Sequence, residues 1–316
     1  MDSPKHLFSL IYNIFYGFSL SALYGASTGA ALWVLGHTSD VRGYLEAYFV
    51  TFNSAVACAL VFATAITVYR TQMTVSEIIE TTFSKRELQK TDFFERQADF
   101  LNLRKTITFS SSFAIVAMAI FYAARFPFHG LPEYFFIGAG CLKYALGVYI
   151  GRKIFHIAHM IRAIGSIRVT KDIFEADKLD GIALYVNTIS TMTAIMVYVV
   201  VISDYRSPFL YDTILGTSIK TIMLLPAIIS IPVLALFNYY PRIVIRKIYE
   251  KSISRSLRNI KLKMSRNNLS EFEKVSYLLD VDRISRDDLN YRLRMTLADL
   301  PMAVTVGVAL LSVIID

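Results

Sequence analysis

Residues Leu7–Leu35, LFSLIYNIFYGFSLSALYGASTGAALWVL, run for 29 positions without Asp, Glu, Lys, Arg or His. An α-helix rises about 1.5 Å per residue, so about 20 apolar residues cross a hydrocarbon core about 30 Å thick. The run is longer than that, and far longer than the h-region of a signal peptide, about 7–15 residues. It predicts a retained membrane span.

Working outward, uncharged runs recur at Ala47–Tyr69, Thr106–Ala124, Gly181–Ser203 and Thr221–Pro241. Tyr134–Ile150, interrupted by Lys143, and Leu300–Ile315 add two further candidates, the last a short span or a re-entrant helix. The composition agrees, with 54% hydrophobic and 18% charged residues, against about 45–50% and 25% in soluble domains. The expected fold is all-α, a polytopic transmembrane helical bundle of about seven spans joined by helical cytosolic connections.

Charge orients the bundle. Short connections (36–46, 125–133, 204–220) alternate with long basic ones (70–105, 151–180, 242–299). Of 33 Lys and Arg, the N-terminus and long connections hold 28, the short connections 4, and Lys143 is the remaining one. Lys and Arg collect on the cytosolic side of membrane proteins, so the N-terminus and long connections are expected in the cytosol and Asp316 outside. Much of the net charge of +8 thereby follows from topology. The expected organisation is a transmembrane domain over 1–241, a basic helical cytosolic segment over 242–299, and a closing segment over 300–316. In the basic segment Ser270-x-x-Glu273 and Ser285-x-x-Asp288 have capping-box spacing, and Leu289, Leu293, Leu297 and Leu300 recur at helical spacing.

Gly17, Ser21, Gly25 and Gly29, four apart, stack on one face of the first span. Missing side chains there let another backbone approach, which marks a helix-packing surface. Lys143 lies about 13 Å inside its span, counting 1.5 Å per residue from Arg152. A charge at that depth is costly and faces a bundle interior or a wet cavity. With Asn187, Ser190 and Thr191 it forms the candidate pathway set, and Ser110, Ser111 and Ser112 supply further hydroxyls. Such hydroxyls also serve as interhelical hydrogen bonds. No span holds Asp or Glu at depth, which argues against proton- or cation-coupled transport.

Pro226 and Pro232 interrupt the sixth span and form a candidate hinge, because each removes a ladder hydrogen bond. Directly after it, residues 242–266 carry nine basic residues and one acid, Glu250. Arg242, Arg246, Lys247, Lys251, Arg255 and Arg258 are the candidate contacts to an anionic ligand or lipid, interleaved with apolar residues at helical spacing. Cys58 and Cys141 both lie in apolar runs and suggest neither a disulfide nor a metal site. His156 and His159 lack further ligands, and the neighbouring Arg152 and Lys153 disfavour a metal. No metal and no cofactor is expected. His-Glu-x-x-His, Gly-x-Ser-x-Gly and Gly-x4-Gly-Lys-Ser/Thr are absent, so no enzyme is expected.

The resulting expectation is a homo-oligomeric channel or pore in the bacterial inner (cytoplasmic) membrane. Its basic cytosolic layer is gated by a nucleotide, oligonucleotide or lipid, an architecture that suits a prokaryotic stress or defence effector. The alternatives are a small-solute transporter and a noncatalytic scaffold for a soluble protein partner.

Overall fold

The N-terminal uncharged run forms one helix, α1 (Ser3–Val34). It stops at Gly36, which takes the left-handed backbone at φ +85°. The amide of Gly36 donates to the Trp33 carbonyl (3.1 Å) and that of His37 to the Leu32 carbonyl (3.0 Å). This is the Schellman pattern, and glycine fits it because a Cβ is strained at positive φ. In the computed structural model α2 (Thr38–Leu45) and a π-helical turn (Glu46–Val50) follow. Then come α3 (Asn53–Thr82), α4 (Lys85–Leu88), α5 (Phe93–Leu101), α6 (Leu103–Ala123), α7 (Leu131–Gly165) and α8 (Asp180–Tyr205).

The structure describes residues 3–50, 53–123, 131–165, 167, 180–205, 236, 237, 239–248, 250, 251, 254, 255, 257–262, 264, 265, 273 and 275–282. Among them all regular structure is helical. Two stretches, Ala55–Thr82 and Gly181–Val200, are long and apolar enough to cross a membrane. A count of about seven is not reached among the described residues. The expected span Leu300–Ile315, Pro226 and Pro232, and both capping boxes lie wholly or partly outside the described residues.

The described helices divide into two compact units. The first holds α1, α2, α3 up to Gln72, α6, α7 up to Phe155, and α8 from Thr191. Its organising contact is the small-residue row of α1 against the segment from α2 to α3. A Cβ added at Gly17 meets the Ala59 carbonyl oxygen at 2.5 Å and the Ala63 amide at 2.8 Å. Ser21 donates to the Ala55 carbonyl (2.7 Å) and shares a hydrogen bond with Tyr48 Oη (3.0 Å). Added Cβ atoms at Gly25 and Gly29 meet Tyr48 (2.5 Å) and Leu45 (3.0 Å), and Thr28 bonds Tyr44 Oη. The register is antiparallel. At the other end buried Asn13 donates to Thr67 Oγ1 (3.2 Å) and accepts from Arg70 Nη1 (2.7 Å). Phe135 and Ala139 of α7 close the core over Leu32, Tyr44, Tyr48 and Cys58.

The second unit holds α3 from Met73, α4, α5 up to Asp99, α7 from His156, α8 up to Ser190, and the described residues from 236 onward, while Phe100 and Leu101 at the end of α5 belong to the first. Ser84 and Glu87 form a capping box at α4, which the sequence reading passed over. Gln97 of α5 donates to Ser76 Oγ and Glu80 Oε1 of α3, both at 2.8 Å. On α7, Ile157, Met160, Ile161 and Ile164 recur at helical spacing and are fully buried.

The seam makes a direct prediction. Gly17→Val drives a side chain into the α3 backbone, which cannot rotate away, and overpacking of this kind costs about 1–3 kcal/mol. Purified Gly17→Val protein in detergent is expected to melt clearly below wild type, whereas Ala22→Val on the exposed face leaves the melting temperature unchanged. Equal melting of all three proteins contradicts the seam.

Candidate functional site

Lys143 of α7 is 5% exposed although it lies in an apolar stretch. Among the described residues an added Cβ at Gly147 or Gly151, one and two turns further along the same face, meets nothing within 4 Å. Ser190 is buried and donates to the Val186 carbonyl of its own helix (2.9 Å), and Asn187 and Thr191 are half-buried. Lys143 and Thr191 belong to the first unit, Asn187 and Ser190 to the second. Two further hydroxyls, Ser110 Oγ of α6 and Thr193 Oγ1 of α8, are buried without a hydrogen-bond partner among the described residues.

The basic stretch after residue 241 is amphipathic. Its described residues between 239 and 248 are helical. Val244, Ile245 and Ile248 are buried, while Arg246, Lys247, Lys251, Arg255 and Arg258 are exposed. Arg246 pairs with Glu250 one turn on (2.8 Å). Arg242 departs from the other five, being only 5% exposed. Val244 packs over Gly165 at the end of α7, where an added Cβ comes within 3.0 Å of Val244 Cγ1. Five of the six candidate cations therefore form an open face, the geometry of a surface contact.

Sequence reasoning missed Lys153. It lies beyond the expected span end at Ile150, where a basic residue attracts no notice. The structure buries it to 4% exposure. Its Nζ donates to the Phe100 carbonyl (2.6 Å) and sits over the rings of Phe100 (3.4 Å to the centroid) and Tyr149 (5.3 Å). Phe100 is in the last turn of α5, whose final carbonyls have no intrahelical donor and carry partial negative charge. The ammonium thus combines a helix C-terminal cap with cation–π contacts. Burial, followed by the charge of Arg152, lowers its pKa from 10.5 to about 8.

His156 is buried and His159 half-buried. Among the described residues no three His, Cys, Asp or Glu side chains gather as a metal site requires. Cys58 and Cys141 are buried and not joined in a disulfide. Comparison with family models, curated proteins and solved structures gives no match.

The Lys153 site has a pH signature. Between pH 8 and 10.5 the unfolded chain keeps a proton that the folded chain has lost, so stability rises with pH across that window. Thermal melts in detergent are expected to carry this upward contribution between pH 7.5 and pH 10 in wild type. Lys153→Met, which keeps the chain length and removes the charge, is expected to flatten that rise. A rise of the same size in the variant removes Lys153 as its source.

Proposed function

We propose that the chain is an integral membrane protein of about seven spans with a cytosolic N-terminus, assembling as a homo-oligomeric channel or pore in the bacterial inner membrane. Its basic cytosolic layer, the face built from Arg246, Lys247, Lys251, Arg255 and Arg258, senses an anionic ligand or lipid. Lys143 faces the conducting pathway.

The observation that carries the proposal is the apolar exterior of the first unit. On α1, Phe15, Leu23 and Trp33 are 70%, 65% and 65% exposed. Ile107, Phe109, Phe113, Ile115 and Val116 of α6 are exposed as well. Soluble monomers rarely expose apolar patches beyond a few hundred Å², because each Å² withheld from water is worth about 25 cal/mol. Asn13, Ser21, Thr64, Thr67, Thr106 and Lys143 are buried instead. An apolar exterior, with these polar groups buried among apolar ones, fits a protein that faces lipid outside and keeps its polar contacts inside. The partition of the chain adds support. Within the second unit fall 73–99, 156–165 and the basic helix, which lie in the three long connections that the positive-inside rule assigns to the cytosol. Gating follows when a ligand binds one cytosolic arrangement more tightly than another, with Pro226 and Pro232 as the hinge.

Purified protein in a planar bilayer is expected to give unitary currents whose reversal potential in asymmetric salt shifts in Lys143→Met. Saturable counterflow without unitary current identifies a transporter. Neither signal, with a stable co-purifying partner, identifies a scaffold. Orientation is checked separately, since a reporter fused at residue 260 that behaves as external overturns the topology.

A further inference from the structure

We infer that the second unit carries a binding site for a phosphate-bearing anion, in the cleft between the turn preceding α5 and the C-terminal turns of α7. A cavity of about 380 Å³ is lined by Lys90, Thr91, Asp92, Arg96, His159 and Arg162. Three permanent cations face one carboxylate, a net charge of +2 with the histidine neutral. Packing forces them together. His159 and Arg162 are three apart and share a face of α7, whose rotation is fixed by the buried stripe Ile157, Met160, Ile161 and Ile164. Arg96 stands one turn inside α5, its amide on the Asp92 carbonyl (2.9 Å), and buried Phe93 and Phe100 set the rotation of that helix.

Topology does not account for this arrangement. A positive-inside bias is met by dispersed, solvated charges, as on Arg255 and Arg258. Here cations from separate elements converge, which costs repulsion that an anion relieves. The histidine registers the field: burial first, then the charges of Arg96 and Arg162, lowers the His159 pKa from 6.5. Among the described residues the buried Nε of Arg96 has no hydrogen-bond acceptor. A phosphate supplies acceptors in the planar geometry that a guanidinium matches. The hydroxyl of Thr91 is already committed, donating to the Leu88 carbonyl (2.7 Å) and accepting from the Phe93 amide (3.3 Å). Recognition therefore runs through the cations. The volume lies in the range of small-ligand pockets, about 300–1,000 Å³, and admits a group larger than orthophosphate, such as a diphosphate. This site deepens the ligand-gated proposal and rests on it only for what binding accomplishes.

The test is isothermal titration of the purified full chain in detergent with inorganic pyrophosphate. One saturable site per chain is expected, weakened at least tenfold by Arg162→Gln and by Lys90→Gln. Both side chains are exposed, and a wild-type melting temperature in each variant confirms its folding. Absence of saturable binding in wild type overturns the site. So does binding that survives Arg162→Gln and Lys90→Gln but is lost in Arg255→Gln/Arg258→Gln. Repeating the titration in nanodiscs with and without phosphatidic acid separates the sources: competition by the lipid assigns the site to a phosphate headgroup, and no competition assigns it to a soluble phosphate ester. No current is read here. A chain that conducts but ignores pyrophosphate loses only the site, and one that binds pyrophosphate without conducting loses only the channel.

Discussion

The close approach of α1 to α3 is the constraint on which the first unit depends. With Gly17 against the backbone at Ala59 and Ala63, dispersion contacts replace the side chains that are missing, and Ser21 adds a hydrogen bond to the Ala55 carbonyl. Between helices in lipid there is little hydrophobic drive, so contact of this kind must supply the association. Fixing this register places Tyr44 and Tyr48 under the end of α1 and brings Asn13 to Thr67 and Arg70. It also decides what remains outside. A helix can bury only one stripe against a single neighbour, so committing the small row to α3 turns Ile11, Phe15, Phe18 and Leu23 outward.

Two buried lysines show how differently the same side chain can be held. Lys143 lies within an apolar run and advertises itself in the sequence. Lys153 lies in a basic stretch, and only the fold brings it under the end of α5. A carbonyl at a helix terminus and an aromatic face help the cation tolerate removal from water, and the lowered pKa shows that burial still disfavours its charged form. The carbonyl partner of Lys153 is 53 positions away in the chain. No local pattern encodes a contact at that separation.

Among the described residues helix existence was legible in five of the apolar runs. The runs at Leu7–Leu35, Ala47–Tyr69, Thr106–Ala124, Tyr134–Ile150 and Gly181–Ser203 all fall largely within α1, α3, α6, α7 and α8. Helix ends were less legible, since α3 continues to Thr82 and α7 to Gly165. A charged residue ends an apolar run but does not end a helix; only a cap, a proline or a left-handed residue does that. Gly36 and the Ser84–Glu87 box are such stops, and both could be read locally. The hydroxyls of α8 illustrate the opposite limit. Ser190 satisfies its own helix while Thr193 does not, a difference that neighbouring helices decide and composition cannot express.

The same reasoning separates two kinds of positive charge in the second unit. On the basic helix, buried Val244, Ile245 and Ile248 turn Arg246, Lys247 and Lys251 to solvent. Each remains hydrated, and anionic lipid is worth about 1 kcal/mol to each of them near a surface. Such a face binds whatever is negative and distinguishes poorly. In the cleft Arg96 and Arg162 are held by the rotation of two packed helices, and one guanidinium nitrogen is already shielded from water. Desolvation paid during folding need not be repeated on binding, which favours a defined anion over a diffuse counter-ion atmosphere. A diffuse face is suited to holding a unit against a membrane, and a preorganised cleft to answering a particular ligand. On the proposed reading the second unit thus offers two kinds of anion contact, a diffuse face and a defined cleft.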